Sequence, residues 1–558
     1  MKDKKQRIQT TNMPRSQQLI DHYAVLKGER TNFESYWQTL HDYYYIEAND
    51  VNKSYYPGTE LSVDYLYDST TIEAGDVLAS GFMNYLTPAT AKWARLRHRD
   101  PHLQDNKVVS AYLEDVMDQV HYTLHRSNFY DQMFSSYKSS GIYGTSIMLE
   151  EEDVDDDVRF YNLPVKNVCL VEDGRGRVTA YYIEFEYTAE QAAGKFGAEN
   201  LSDTMKEELT SEKKQTKKHP FILYIGKRHA REVQKSNDKN LPIEAIWVDA
   251  SAKITVMESG YNEFPAFAHR FDKRPFIPWG FSPAMKALPF ARILNAVAKT
   301  NLRAMMKQTD PPIAVPDNAF VMPFNANPRA VNYYNKNNMA NSQDNFSFGN
   351  FGDPNTGMAA IEFYSGKVKS LMFSDVFLAF DNLTKQMNNP EVAERINEKM
   401  TMLGPAVGRY ISEMLNPTII RTIGILYRKG KLPRPPDELI DNPNYEIDSI
   451  SQLAQIQRRS EFQSLMSGIS VVGNLSPMFP SVLDKLDSDR VVDEAWSILG
   501  APTKALVDDS ALKEKREAQA QANAQQAAME TATQQAGAMK EASGADLNVA
   551  KAGEANRK

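Results

Sequence analysis

The sequence predicts an α+β protein made of several domains, and three observations carry that prediction. Apolar residues at helical spacing recur through the first 140 residues and again after residue 282. Between them, from 141 to 257, short apolar runs alternate with Gly-containing turns, as antiparallel strands do. A chain of 558 residues is also too long for one core, so roughly three or four packing units are expected.

Composition narrows the class of protein. The hydrophobic fraction of 42% and the charged fraction of 24% are typical of a folded protein. No apolar run approaches the roughly 18 residues that span a bilayer, so a soluble, cytosolic protein is expected. The single cysteine, Cys169, excludes an intramolecular disulfide and a Cys-rich zinc module. A net charge of −8 means that any DNA contact must be local or weak.

The N-terminal part, residues 1–280, is expected to form one α+β domain. Amphipathic spacing predicts helices at 16–48, 69–86, 108–127 and 130–140. Strands are predicted at 93–96, 145–149, 221–228, 245–248 and 254–257. The Gly174, Arg175, Gly176 sequence separates two further apolar runs and predicts a hairpin turn there.

The predicted secondary structure changes twice in the middle of the chain. A helix is predicted at 282–308, and a Pro- and Asn-rich stretch of about sixty residues follows, which we interpret as a small β-containing module. A second helix is predicted at 371–387. Pro390 can begin the next helix, and Pro405 and Pro417 predict kinks within it.

The C-terminal part is expected to be helical. The Pro-containing stretch from Lys431 to Pro436 ends the helical pattern, and shorter helices are predicted at 450–465 and 482–499. Residues 511–540 are rich in Ala, Gln, Glu and Lys, which favours a helix that has little to bury unless several copies associate. Residues beyond 540 are expected to be disordered.

Motifs of catalysis are missing from the sequence. It contains no GxxxxGK[ST], HExxH or GxSxG. His121 and His125, with Asp118 nearby, could share a metal, but without a second ligand pair a partly packed helix surface is the favoured interpretation. The acidic run from Glu150 to Asp157 could hold a divalent cation loosely, although its spacing is not that of a calcium loop, and a solvated loop tip is favoured.

One basic pattern points to a different function. Arg292, Lys299, Arg303 and Lys307 follow at intervals of seven, four and four, which places them on one side of the 282–308 helix. In a lone protein they would form a solvated face. In a ring they would place repeated cations around or outside a channel, where attraction to phosphate is independent of sequence.

The order of these elements resembles the podovirus-type (T7-like) portal proteins, the head-to-tail connector family of short-tailed bacteriophages. The likeness runs from about Tyr36 to Met539 and includes the extended Trp93 to Leu96 after a Gly-containing helix. The other matching points are Gly141 to Leu149, Glu258 to Pro265 followed by Arg270, Ser282 to Asn295, Pro311 and Pro312, Glu413 to Pro417 followed by Arg421, and Gly430 to Pro433. The family's GlyXaaTyrGlyXaaSerPro stands here as Pro278, Trp279, Gly280, Phe281, Ser282, Pro283, without the tyrosine.

The resemblance implies a portal fold and a dodecameric ring at the unique capsid vertex, with a channel for double-stranded DNA packaging and ejection. It divides the chain into a wing (1–280), a stem helix (281–308), a clip (309–369), a second stem helix (370–388), a tunnel loop and long kinked wing helix (389–436), a crown (437–502), and a barrel helix with a disordered tail (503–558). It implies no catalysis, no cofactor and no metal.

The resemblance also implies partners and contact residues. The partners are other copies of the chain, the terminase large subunit, tail adaptor and nozzle proteins, scaffolding and major capsid proteins, internal core or ejection proteins, and double-stranded DNA without sequence specificity. The location is the virion head–tail junction, after assembly in the host cytoplasm. The implied DNA-channel residues are Lys385, Gln386, Asn388, Asn389 and Arg395 with Arg292, Lys299, Arg303 and Lys307; the implied clip contacts are Phe320, Phe324, Arg329, Tyr333, Tyr334 and Lys336.

Two other functions stay open from the residues alone. Scattered carboxylates could build a metal-dependent nucleic-acid-processing enzyme, which a single sequence can hide. Another phage head–tail structural protein is the second alternative.

Overall fold

The computed structural model describes residues 14–47, 51, 63–104, 106–210, 217–231, 237–309, 313–314, 347–348, 354–378, 402–441, 444–450, 452–475, 477, 486–499, 512–526 and 529. Within them the fold is mixed α+β, mostly helical with several antiparallel sheets. The chain divides into two compact units. The first comprises Met1–Arg95, Val116–Arg434 and Ile447–Ser460, and the second comprises Leu96–Asp115, Pro435–Glu446 and Glu461–Lys558.

The helices, in chain order, are α1 (Arg15–Tyr44), α2 (Thr70–Leu86), α3 (Pro101–Gln104), α4 (Lys107–Arg126), α5 (Phe129–Tyr143), α6 (Ala189–Phe196), α7 (Asp203–Leu209), α8 (Pro283–Thr309), α9 (Pro354–Leu371), α10 (Asn416–Arg428), α11 (Asp437–Asp441), α12 (Gln452–Leu475) and α13 (Ser488–Leu499). The strands are β1 (Ala94–His98), β2 (Thr145–Glu152), β3 (Val158–Leu163), β4 (Val168–Glu172), β5 (Val178–Thr188), β6 (Lys218–Lys227), β7 (Ile243–Asp249), β8 (Ile254–Tyr261), β9 (Ala266–Arg270), β10 (Asp272–Lys273), β11 (Gly280–Phe281), β12 (Ile313–Ala314), β13 (Ser347–Phe348) and β14 (Tyr445–Ser449).

The two largest antiparallel sheets of the described residues lie in the first unit. Strands β4 to β8 make a five-stranded sheet in sequence order, and β2 lies between β3 and β9 in a three-stranded sheet. The turn between β4 and β5 confirms the predicted hairpin: Gly176 has a φ of 75°, and the Asp173 carboxylate accepts the backbone N–H groups of Arg175 and Arg177, both at 2.9 Å. The strands predicted from alternation are therefore confirmed, with ends shifted by a few residues.

Apolar packing fixes the helices on these sheets. In α1, Leu19 and Tyr23 pack against Cys169, Tyr182 and Ile246 of the five-stranded sheet. The thiol of Cys169 is buried there as a small apolar group. Phe82 of α2, Tyr137 of α5 and Tyr410 form a second contact, with ring centroids 4.7 to 6.2 Å apart. These aromatic rings tie three helices into one core.

Two glycines and a serine control where the chain leaves the sheets for α8. Gly144 ends α5 at a φ of 81°, and its backbone lies so close to Gly280 that neither position has space for a Cβ atom. Ser282 then caps α8: its Oγ accepts the N–H of Met285 at 3.0 Å and donates to the carbonyl of Ile142 at 2.7 Å. The start of α8 at Pro283 confirms the helix predicted from residue 282.

The position of α9 corrects the sequence interpretation. This helix occupies Pro354–Leu371, inside the stretch predicted to lack helices, and it packs on α8. The predicted start at residue 371 was wrong, because proline is a favourable first helical residue and the run after it has helical spacing that the Asn and Gly content obscured. The helix is interrupted by a turn at Phe373, where φ is 58°, and the chain is helical again at 374–378. The remainder of the predicted 371–387 helix lies outside the described residues.

The two-stranded pairing of β12 with β13 agrees with a β-containing module before α9. Ile313 pairs with Phe348 and Ala314 with Ser347. The two strands close an interval whose residues 315–346 lie outside the described part of the chain.

A long helix crosses the first unit after residue 402. It is α-helical at 402–410, contains a π-helical turn at Ile411–Leu415, and continues as α10. The N–H of Asn416 bonds the carbonyl of Ile411, five residues back. Since Pro417 has no N–H to donate, the disturbance predicted at this proline takes the form of a π turn just before it.

The second unit is helical in its described residues apart from parts of β1 and β14. It holds α3, α11 and α13, most of α12, and a helix at 512–526. Arg516 makes a bidentate ion pair with Asp489, with both distances 2.7 Å. The predicted C-terminal helices are confirmed in these ranges. No described helix of the chain is long and apolar enough to cross a membrane.

Candidate functional site

Four cationic side chains run along one side of α8, and we call them the cationic stripe: Arg292, Lys299, Arg303 and Lys307. At about 100° per residue they fall within an arc of about 80°. Along the stripe, the buried residues Ala291, Leu294, Ala298 and Asn301 lie roughly opposite. The first two turns of α8 are buried on more than one side, by Pro283, Ala284, Met285, Ala287 and Leu288. Arg292, Arg303 and Lys307 are exposed and Lys299 is half-buried, so the stripe faces away from its own subunit.

Local contacts position the N-terminal end of the stripe without neutralising its charge. Asn295 accepts the N–H of Tyr67 at 2.7 Å and donates to the carbonyl of Tyr65 at 2.9 Å. That places the Tyr67 ring 5.1 Å from the Lys299 ammonium. Within the described part of the chain, no salt bridge links Arg292 or Arg303 to a carboxylate. Their charges are therefore available to a phosphate backbone.

The helix α9 supports α8 from behind. Gly357 lies against Asn301: a Cβ added at this glycine would come 2.5 Å from Cγ and 3.1 Å from Cβ of the asparagine. Asn301 is buried by this approach. Lys369, near the end of α9, pairs with Glu73 of α2 at 3.2 Å. The stripe consequently lies on a helix that is packed on one side and open on the other.

A buried arginine fixes the long helix to the sheets, and we call this contact the Arg270 clamp. Arg270, at the end of β9, is 3% exposed. Its guanidinium binds Glu413 at 2.5 Å, Glu172 of the β4–β5 hairpin and the carbonyl of Gly176, while its backbone N–H donates to Glu413 at 3.0 Å. Glu413 belongs to the π turn. One side chain thus connects three segments that are distant in sequence.

A second arginine, Arg421 of α10, forms the Arg421 clamp. It has no solvent exposure, and it donates to the carbonyls of Glu150 at 3.1 Å and Glu263 at 3.2 Å. The Glu150 carboxyl is also fully buried and accepts the hydroxyl of Thr422 at 3.0 Å. Burial raises the pKa of Glu150 to about 8, although Arg421 acts in the opposite direction.

The interpretation of the acidic run as a solvated loop tip holds for the middle of the run and was wrong for its two ends. Glu150 is buried in the Arg421 clamp, and Asp157 is buried at a φ of 70°. Asp157 receives Lys429 at 3.2 Å and Lys431 at 2.7 Å. Only the middle of the run is exposed. Lys429 and Lys431, in the basic segment after α10, balance the charge of Asp157, whereas the Glu150 carboxyl is held by the Thr422 hydroxyl.

Sequence reasoning misses the clamps although it singles out their residues. Arg270, Glu413 and Arg421 are among the points of family likeness, and the acidic run stands out by composition. The available signal is charge complementarity: Arg421, Arg428 and Lys429 recur near one face of a helix, and several acids lie within 150–157. A single sequence does not show which basic segment meets which acidic one.

The histidine pair also has a structural explanation. His121 is buried, donates from Nε2 to the carbonyl of Ala94 at 3.3 Å, and packs edge-on against Trp93. Burial lowers the pKa of His121 to about 4. Asp118 pairs with Lys92, and His125 lies against Tyr130. Among the described residues, no group of three or more His, Cys, Asp or Glu side chains could hold a metal ion.

The remaining predicted contacts stay predictions. Lys385, Gln386, Asn388, Asn389 and Arg395 lie outside the described residues, as do all six clip residues: Phe320, Phe324, Arg329, Tyr333, Tyr334 and Lys336. The structure therefore brings together the four members of the cationic stripe and leaves the other predicted contacts untested.

Comparison with known proteins gives consistent matches over almost the full length. A family model described as "Bacteriophage head to tail connecting protein" matches residues 16–507. The portal protein of Salmonella phage epsilon15 is 30% identical over 550 residues, covering 95% of this chain and 96% of that protein. A probable portal protein of Bordetella phage BPP-1 is 29% identical over 521 residues, covering 92% of each.

Proposed function

Because this chain belongs to the family of bacteriophage head-to-tail connecting proteins, we propose that twelve copies form a ring at the unique capsid vertex and conduct double-stranded DNA through its centre. The chain is a phage portal protein, a structural and non-enzymatic component of the virion at the head–tail junction. Family membership therefore removes the alternative of a metal-dependent nuclease. The proposed ring is of the short-tailed, T7-like type, in keeping with the order of the sequence elements.

The cationic stripe is the observation that carries the channel assignment. From Arg292 to Lys307 it rises about 22 Å along α8, at about 1.5 Å per residue. A phosphate backbone can meet these cations without any reading of bases, which suits a channel that accepts every sequence. We assign the stripe to the channel side because α8 buries its opposite side against its own subunit.

Weak attraction fits passage better than tight binding. Arginine and lysine heads at the end of flexible, exposed side chains exchange phosphates easily, and each contact is screened by salt. The rest of the chain is acidic overall, with a net charge of −8, so it does not add a broad attraction for DNA. The channel would therefore hold DNA locally and let it slide.

Partners are assigned to the other predicted parts. The clip, including Phe320, Phe324, Arg329, Tyr333, Tyr334 and Lys336, would dock the terminase large subunit during packaging and then the tail adaptor and nozzle proteins. The loop with Lys385, Gln386, Asn388, Asn389 and Arg395 would project into the channel. Scaffolding, major capsid, and internal core or ejection proteins would meet the outer parts of the ring.

Ring stoichiometry tests the proposal first. Negative-stain images of the purified chain should show rings with a central hole, and a native mass measurement should give about twelve times the chain mass of 63.1 kDa. A chain that remains monomeric or dimeric at high concentration, and also in the presence of scaffolding protein, would contradict the ring.

The pairing of β12 with β13 allows a sharp test of the clip. Residues 315–346 can be replaced by a two-residue Asn-Gly turn that joins Ala314 to Ser347, which already pair across the ladder. The variant should still form rings, but particles that carry it should lack tails. Tailed, infectious particles from this variant would rule out the clip assignment.

A further inference from the structure

The loop from Asp272 to Phe281 presents a fully exposed aromatic side chain on a rigid base. Phe276, at its tip, has its whole side chain in solvent and a φ of 64°. Bulky residues rarely adopt that backbone conformation, and large aromatic side chains are rarely left fully exposed. Two unfavourable features in one residue of an ordered loop point to a contact outside this chain.

The base of the loop is held on both sides. Lys273 binds Glu172 at 2.7 Å and the carbonyl of Gly176 at 2.6 Å, and it pairs with Gly280 across the β10–β11 ladder. Trp279 packs edge-on against Trp37 at 4.9 Å. The exposure of Phe276 is thus imposed by the fold and is not a consequence of a loose loop.

The tip has the composition of a binding hot spot. Arg274, Pro275 and Phe276 are all exposed. The Arg274 guanidinium lies 3.9 Å from the centre of the Phe281 ring, and within the described residues it forms no salt bridge. Arginine and aromatic residues are the types that carry most binding energy at interfaces.

A groove of matching chemistry lies elsewhere on the first unit. It has a volume of about 580 Å³ between α2 and the helical residues 374–378. Its apolar walls include Ile72, Tyr85 and Phe377, and its charged lining residues are Glu73 and Asp76, with no basic side chain. Glu73 pairs through Oε2 with Lys369 and Asp76 pairs through Oδ1 with Lys138, so the other oxygen of each carboxylate can accept a guanidinium.

We propose that the Arg274-Pro275-Phe276 tip of one copy inserts into the α2 groove of the neighbouring copy. A ring closed by rotation needs two different, complementary patches on every subunit. Here one patch is convex, aromatic and basic, while the other is concave and apolar and offers the second oxygens of two carboxylates. This inference rests on the proposed ring and specifies the contact between its subunits.

Assembly of Phe276→Ala tests the convex side. The concentration for half-maximal ring formation, measured by native mass, should rise at least about tenfold, since a buried aromatic anchor is removed from every interface. Val154→Ala is the matched control, because Val154 is 95% exposed in another loop, and it should assemble like the wild type. Unchanged circular dichroism and melting of both variants at low concentration exclude misfolding.

Disulfide trapping tests the pairing itself. The single native cysteine is buried, so a chain with Phe276→Cys and Asn84→Cys, the latter at the groove, carries two accessible thiols. Oxidation of its rings should give a ladder of covalent oligomers on a non-reducing gel, whereas Val154→Cys with Asn84→Cys should give none.

Three results would overturn the proposal. If the wild type forms rings but the Phe276→Cys, Asn84→Cys variant gives no ladder, or if Phe276→Ala assembles normally, this contact is disproved and the ring is left intact. A disulfide confined to the monomer would place the tip over its own groove. A wild-type chain that never assembles would remove both the ring and this contact.

Discussion

Replacement of Arg270 by methionine should destabilise the first unit more than any single surface change. Methionine keeps the length of the aliphatic stem but removes a guanidinium that meets Glu172, Glu413 and the carbonyl of Gly176. Among the described residues, Lys273 would then be the one cation that still pairs with either carboxylate, and it binds Glu172 at 2.7 Å.

The size of the effect follows from burial. Removal of one partner from a buried ion pair costs about 3–5 kcal/mol, because the remaining charge stays desolvated. The side chains of Glu172 and Glu413 are 13% and 19% exposed, and Lys273 still compensates one of them, so we expect about 2–4 kcal/mol. Lys273→Met should cost less, since Lys273 is the more exposed cation of the cluster.

Native-state hydrogen exchange is the suitable assay, because unfolding of a chain with two units is not a two-state process. Protection of amides in β9 and the 402–428 helix should fall in Arg270→Met while amides of α13 in the second unit keep theirs. In a double-mutant cycle with Glu413→Gln, the coupling should exceed about 1 kcal/mol. A destabilisation below about 1 kcal/mol together with additive single effects would refute the clamp.

Three further predictions concern the stripe, the helix pair and the buried acid. Conversion of the whole cationic stripe to glutamine should leave rings intact but weaken DNA binding. The slope of log affinity against log salt concentration should become shallower by about 0.9 for each phosphate that is no longer neutralised, and an unchanged slope would place the stripe away from DNA. Gly357→Ala should destabilise α9 on α8 by about 1–3 kcal/mol in thermal melts, because Asn301 must move, whereas Gly366→Ala in open space should be neutral or slightly stabilising; equal effects would contradict the close approach. The pKa of Glu150 lies above its usual 4.5, so the folded state binds the proton more tightly and the free energy of unfolding should fall as pH rises from 4.5 to about 8. The total loss over this range should be on the order of a few kcal/mol, and Glu150→Gln should abolish it. Parallel pH profiles of the two proteins would disprove this prediction.

Local rules were sufficient for most elements of the first unit. The helices α1, α2, α4, α5 and α8 and the β4–β5 hairpin follow from periodicity, caps and glycine positions. These signals lie within about ten residues of each element, which is the range that a single sequence reports well. The face of α8 that carries the cationic stripe could be predicted for the same reason.

The sequence prediction of where α9 begins was wrong because a competing turn signal was present. Asparagine, glycine and proline before the helix and in its first turn favour turns, and they masked the helical spacing between Pro354 and Leu371. Tertiary contact settled the outcome, because Gly357, which is unfavourable in an isolated helix, permits the close approach to Asn301. No window of sequence around α9 contains that partner.

The clamps show why sequence periodicity cannot place a long helix. A helix held by apolar ridges alone can shift by one turn with a modest loss of packing energy. A buried arginine, in contrast, has few positions in which all of its N–H donors find acceptors. Arg270 binds the π turn itself through Glu413, and Arg421 holds the α-helical part that follows, so the irregularity and the helix after it each have an anchor. Buried ion pairs add little net stability compared with apolar packing, but they discriminate strongly between registers. The pinned register also fixes the position of residue 402, where the described part of this helix begins, and with it the point to which the proposed channel loop is joined.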